Sequence, residues 1–168
     1  MAHNDSARKL WDLIKDIKIA MLTTVCADGR LHSRPMATQR VEFDGDLWFF
    51  TLRETEKVDD VHKDKHVNVA YQSADGNRFV SVSGKAKLIT DRSKAEELWW
   101  PGLKAYFPNG LDDPKLALLR VTVESAEYWE SPAAPIVRLA GFVKALAAGQ
   151  RYEPVENETL EFRRGWFH

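Results

Sequence analysis

The chain has 168 residues, 44% hydrophobic and 29% charged, with a net charge of -1 from 24 Lys and Arg against 25 Asp and Glu. That balance excludes a function written in bulk charge, such as a basic nucleic-acid arm, and a mean hydropathy of -0.41 with no long apolar run speaks against a membrane span. A single cysteine, Cys26, excludes an internal disulfide framework or a Cys-rich zinc site, and with no signal-like N-terminus the expected compartment is the cytoplasm.

The first helix is expected from Asp5 or Ser6, either of which can cap it by accepting an orphan backbone N–H. Leu10, Leu13, Ile14 and Ile17 fall at i, i+3, i+4 and i+7 and make one apolar stripe. From Ile19 the period becomes that of strands. Residues 19–25 and 31–41 are extended runs around Ala27-Asp28-Gly29, an Asp-Gly hairpin signal. A second such turn, Phe43-Asp44-Gly45-Asp46, leads into Leu47-Trp48-Phe49-Phe50-Thr51. Between 53 and 65, Val58 and Val61 sit three apart among charged residues, which predicts a short surface helix solvated by Asp59, Asp60 and Asp64.

Strands resume at 66–72 and 78–90, on either side of Asp75-Gly76-Asn77. Asp91 or Ser93 caps a helix to about Trp100, stopped by Pro101-Gly102. Residues 116–124 form a further strand, and 127–130 offer another. Pro135 suits the first turn of a last helix with Val137, Leu139, Phe142, Val143 and Leu146 as its apolar set, and Gly149 stops it. The end, 151–168, reads as a polar tail or a docking arm. Six or seven short strands joined by tight turns point to a mainly β protein with helices, a small antiparallel barrel, because turns this short cannot carry parallel crossovers.

The chemistry concentrates in two stretches. Arg34 lies beside Pro35, which cannot donate to a ladder, so the strand bends or is exposed there. A guanidinium at such a place is either solvated or forked onto a phosphate or carboxylate. Lys57 falls in the first turn of the short helix, where a cation is unfavourable unless Glu54 and Glu56 neutralise it or an anion binds the helix end. Thr51 closes a strand and offers a hydroxyl to the same anion. Arg34, Thr51 and Lys57 come from adjacent segments of one meander, which makes a shared phosphate pocket sterically reasonable. Trp48, Trp99, Trp100 and Trp129 stand near strand ends or loops and suit a flat heteroaromatic ligand, a subunit interface or the core. His62 and His66 are four apart, but His66 opens a strand and no third ligand stands out, so no metal is expected. Cys26, beside a hairpin turn, reads as a small buried filler.

Taken in order, Leu22-Thr23-Thr24, Asp28-Gly29, Ser33-Arg34-Pro35-Met36, Leu47-Trp48-Phe49-Phe50-Thr51, Lys57 and Val67-Asn68-Val69-Ala70-Tyr71 resemble the flavin-binding split-barrel family related to pyridoxamine 5′-phosphate oxidase. Ser83-Gly84-Lys85-Ala86, Glu97-Leu98-Trp99, Tyr106-Phe107-Pro108-Asn109-Gly110 and Glu127-Tyr128-Trp129 resemble its general stress protein 26 branch. The likeness covers about residues 8–131. It implies a six-stranded antiparallel split β-barrel over 1–131; residues 132–168, a C-terminal helix and polar tail, depart from the family pattern and belong to the same domain or form an arm. It also implies a homodimer with one FMN in each of two clefts between subunits.

By that likeness Arg34 and Lys57 hold the FMN phosphate, and Pro35 and Met36 lie beside the isoalloxazine through the backbone. Phe50 and Thr51 contact the ring or ribityl chain, and Trp100 or Phe107 closes the cleft from the partner subunit. The oxidase proper ends in a basic, histidine-bearing strand that holds pyridoxal phosphate. Nothing after Trp129 matches it, which argues against vitamin B6 oxidation. Glu56 stands where the oxidase usually has a second basic residue, which implies weaker phosphate affinity. The implied function is that of an FMN-binding, stress-related protein acting as a flavin-dependent oxidoreductase. A non-catalytic flavin carrier or sensor, or a heme- or F420-binding relative, are the alternatives, and no catalytic acid or base is assigned.

Overall fold

Runs rich in Val, Leu, Thr and aromatic residues, punctuated by Asp-Gly turns, build one antiparallel sheet. The computed structural model describes residues 2–132, 135–152 and 156–162. In chain order the elements are α1 (Ala2–Ile14), β1 (Ile19–Val25), β2 (Leu31–Ala37), β3 (Asp46–Leu52), α2 (Glu56–Lys63), β4 (His66–Gln72), β5 (Arg78–Ile89), α3 (Arg92–Leu98), β6 (Leu116–Glu130), α4 (Pro135–Ala148) and β7 (Glu156–Glu161). Two 3-10 turns, Pro101–Ala105 and Gly110–Asp112, join α3 to β6. Among the described residues, no helix is long and apolar enough to cross a membrane.

The strands run β2-β1-β4-β5-β6-β3 across the sheet, with β7 added to β6. All the pairings are antiparallel. β2 and β3 are therefore the two ends of a curled half-barrel, and the split lies between them. Alternation along each strand divides the core in two. Leu47 and Phe49 of β3 turn inward to join Leu22, Val69, Val82, Leu119, Val121 and Tyr128, plugged at one end by Leu10, Leu13 and Ile14 of α1. Phe50 turns outward and packs with Leu118 beneath Ala95, Leu98 and Leu103.

Several boundaries differ from the sequence pattern. α1 starts at Ala2, so Asp5 is not a cap but a first-turn residue that complements the helix dipole. β2 ends at Ala37 rather than running to 41, because Gln39 leaves the ladder and accepts from the Trp48 N–H at 2.6 Å. Residues 116–130 form one strand rather than two, kept continuous by pairing with β5 through a bulge at Ser83/Gly84. α4 forms where expected, but its apolar set is not buried: Val137, Leu139, Phe142, Val143 and Leu146 are 46–66% exposed. The expected tail contains a seventh strand, β7, with Leu160 and Phe162 buried and the Tyr128 hydroxyl shared between Glu156 and Glu158. Residues 153–155 and 163–168 of that segment lie outside the described residues.

The β5–β6 bulge requires a glycine for space. A Cβ on Gly84 would stand 2.4 Å from the Thr122 carbonyl oxygen, which is backbone and cannot move aside alone. We expect Gly84→Ala to destabilise the fold by about 1–3 kcal/mol in urea unfolding. An unchanged midpoint would contradict this close approach.

Candidate functional site

The split between β2 and β3 holds a cavity of about 450 Å³. One wall is Pro35, Met36 and Ala37 of β2 with Ile19 of β1, and the other is Phe50, Thr51 and Leu52 of β3. Thr55 and Lys57 from the start of α2 close one end, and Tyr106 and Phe107 from the loop after Pro101–Ala105 close another. The lining is mostly apolar, with one cationic group at its edge, and the volume suits a small-molecule ligand. Pro35 costs the sheet nothing here, since β2 is an edge strand. Thr55 is the N-cap of α2 but makes no side-chain cap; its hydroxyl donates to the Leu52 carbonyl at 3.1 Å. The first N–H groups of α2 thus keep no side-chain partner from Thr55 beside the cavity.

Two cations meet at this end. Among the described residues the Lys57 ammonium has no hydrogen bond or ion pair within 4 Å. Its burial, and then the neighbouring Arg34 charge, push its pKa below the ordinary lysine value. Arg34 is anchored by a buried polar network. Its Nη1 donates to Thr24 Oγ1 at 2.7 Å, Thr24 Oγ1 donates to Asp60 Oδ2 at 2.7 Å, and Arg34 Nη2 lies 3.6 Å from the same carboxylate oxygen. Nη2 is buried without a hydrogen-bond acceptor. The Asp60 carboxylate thus answers Arg34, while Lys57 gains no such partner among the described residues, and the local balance is positive.

The sequence-derived candidates divide accordingly. Pro35, Met36, Phe50, Thr51, Lys57 and Phe107 line one cavity, and Arg34 stands next to it through Pro35 and its effect on Lys57. Thr51 is buried, and its hydroxyl makes only a long 3.3 Å bond to the Leu52 carbonyl. Trp100 does not line this cavity. It stacks under Arg40 at 3.8 Å and faces a neighbouring cavity with Lys18 and Gln39. Asp60 does not solvate α2 as the charge pattern suggested: it is 5% exposed, because Thr24 and Arg34 supply its partners. Glu54 and Glu56 do not neutralise Lys57. Glu54 pairs with Lys115 at 2.8 Å and Glu56 stands 3.6 Å from His32. Cys26 is half-buried rather than filled into the core, and burial followed by the nearby Asp60, Asp28 and Glu56 charges raises its thiol pKa.

Ile19, Ala37, Leu52, Thr55 and Tyr106 complete the cavity and were missed from sequence. Tyr106 adjoins Phe107 in the same aromatic loop and had a local signal. Ile19, Ala37 and Leu52 are pattern-typical strand residues and Thr55 is an ordinary helix-start residue, so nothing local distinguishes them.

An antiparallel half-barrel, split beside an apolar cavity with cations at its edge, defines the split-barrel class. The chain belongs to the pyridoxamine 5′-phosphate oxidase like family, whose model matches residues 5–153. It is 30% identical over 129 residues to general stress protein 26 of Bacillus subtilis, covering 74% of this chain and 88% of that one. Among solved structures, a general stress protein 26 from Jannaschia sp. CCS1 superposes with a TM-score of 0.74 at 24% identity, covering 95% of this chain and 99% of the other. The general stress FMN/FAD binding protein of Xanthomonas citri is 29% identical with a TM-score of 0.67, covering 78% and 92% respectively. The segment after Trp129, read from sequence as a helix and polar tail, includes the strand β7, whose charged residues are Glu156, Glu158 and Glu161.

Removing the Asp60 carboxylate leaves Arg34 buried without its counter-charge. Asp60→Ala should cost roughly 3–5 kcal/mol of stability, as for other broken buried pairs. A thermal melt indistinguishable from wild type would show that the network carries no such load.

Proposed function

We propose that this protein binds FMN in the cavity between β2 and β3, with Arg34 and Lys57 receiving the phosphate. The observation that carries the reading is the unpartnered Lys57 ammonium beside a second cation, at the edge of an apolar cavity. A dianionic phosphate reverses the sign of that repulsion and supplies acceptors for Lys57, for Arg34 Nη2 and for the first N–H groups of α2. Met36, Phe50 and Phe107 offer apolar and aromatic surface for a planar ring. The FMN/FAD binding of the Xanthomonas citri relative supports the same ligand class.

We further propose that a second copy of the chain completes the site. Ile19 and Tyr106 line the cavity yet remain 43% and 59% exposed, so one wall is open to solvent in a single chain. A dimer that covers them also shields the ring, and Trp100 lies close enough along the same surface to contribute, since its cavity shares Ile19, Ala37 and Tyr106.

Bound flavin would supply redox chemistry, and the chain's residues would supply binding and orientation. Oxidoreductase activity fits this arrangement. A carrier or sensor role is the second reading, favoured because Lys57 and Tyr106 are the titratable groups among the cavity's lining residues, which leaves no carboxylate or imidazole for acid–base work. Bleaching of bound flavin by NADH or NADPH supports the first reading, and its absence with both reductants supports the second.

FMN added to the purified protein should lose fluorescence and raise the melting temperature. Lys57→Ala should weaken binding by about 1.5–3 kcal/mol, roughly 10- to 150-fold, for a charge-assisted contact. No quenching at tens of micromolar FMN would overturn the proposal.

A further inference from the structure

On the outer side of the Arg34–Asp60 network, three side chains from three elements converge. We propose that Cys26, His32 and Glu56 form a binding site for a thiolate-preferring divalent cation of the zinc class. Their ligand atoms all lie within 4.8 Å of one another, and His32 Nδ1 is 3.6 Å from Glu56 Oε1. The convergence follows from register. His32 of β2 pairs with Thr24 of β1, and Cys26 lies two residues beyond Thr24, at the start of the hairpin turn. Glu56 and Asp60 are i and i+4 on α2, and Asp60 is bonded to Thr24. The contact that buries Asp60 therefore brings Glu56 over His32 and Cys26.

The donor set selects the ion. Sulfur, imidazole nitrogen and one carboxylate suit zinc and its borderline neighbours, whereas magnesium and calcium take oxygen ligands. Zinc bond lengths place tetrahedral ligand atoms roughly 3.4–3.6 Å apart. His32 and Glu56 already meet that spacing, and both are exposed enough to rotate toward Cys26. The turn holds the Cys26 backbone in place, since its N–H donates to the Arg30 carbonyl at 2.8 Å and its carbonyl accepts from Gly29 at 2.9 Å. Asp60 Oδ2, 3.9 Å from Cys26 Sγ, and Asp28 add negative charge nearby. Binding releases the thiol proton to solvent and leaves a fourth position for water. The ion ties α2 to the β1–β2 hairpin, the two elements that carry Lys57 and Arg34.

Cobalt(II) titration of the untagged, reduced, full-length protein tests the site without any flavin. Wild type should give one equivalent of a thiolate-to-cobalt charge-transfer band that zinc displaces. Cys26→Ser should abolish the band, and His32→Ala, at an exposed position, should weaken cobalt binding at least about tenfold, the loss that even outer-shell partners can cause. His62→Ala should leave binding unchanged. Absence of the band in wild type, or unaltered affinity in His32→Ala, would overturn the proposal.

Discussion

The Asp60 carboxylate, buried under α2, is the constraint from which the rest of the site follows. A carboxylate out of water is costly unless it is paired and hydrogen-bonded. Thr24 and Arg34 satisfy it, and they lie on neighbouring strands of one hairpin. The helix is thereby held against β1 and β2 at a fixed height. Lys57, three residues before Asp60, then has little choice but to face the split, and Glu56 is carried to the outer edge above His32.

Positive charge is what this arrangement leaves over. Arg34 is oriented by Thr24 and Asp60 but not fully used, since Nη2 has no hydrogen-bond acceptor among the described residues. Among the described residues Lys57 has no counter-charge, and it feels both desolvation and Arg34. Structures rarely maintain such a pair without an anion to offset it. The fold supplies the remainder: β2 and β3 end the main run of strands, and their apolar side chains form the walls of the cavity. Fold alone would not indicate a ligand, but charge placed at the mouth of a ring-sized cleft does.

Much of this was legible in the sequence because local signals and tertiary structure agree. The Asp-Gly turns at Gly29, Gly45 and Gly76 all adopt positive φ, so the meander could be read directly. The α3 cap was likewise visible, with Asp91 accepting from the Lys94 N–H. β7 was not, because Glu156-Asn157-Glu158-Thr159-Leu160-Glu161 has one apolar residue and forms only by pairing with β6, which no local pattern reveals. Asp60 was misread for the opposite reason. In a helix this polar, an acidic residue looks solvated, and its burial depends on Thr24 and Arg34, 36 and 26 positions away in the sequence. Trp100 came from the resemblance as a residue closing the cleft from a partner subunit; within its own chain its ring lies against Arg40 in the adjacent cleft.

In the proposed complex two cations recognise a phosphate, and riboflavin, which is FMN without that group, isolates their contribution. Equilibrium binding of both ligands should be measured on wild type and on Lys57→Ala. Wild type should prefer FMN by at least about tenfold, a margin of roughly 1.4 kcal/mol, and the margin should shrink in the variant while riboflavin affinity stays the same. Equal affinity of the wild-type protein for the two ligands would contradict phosphate recognition.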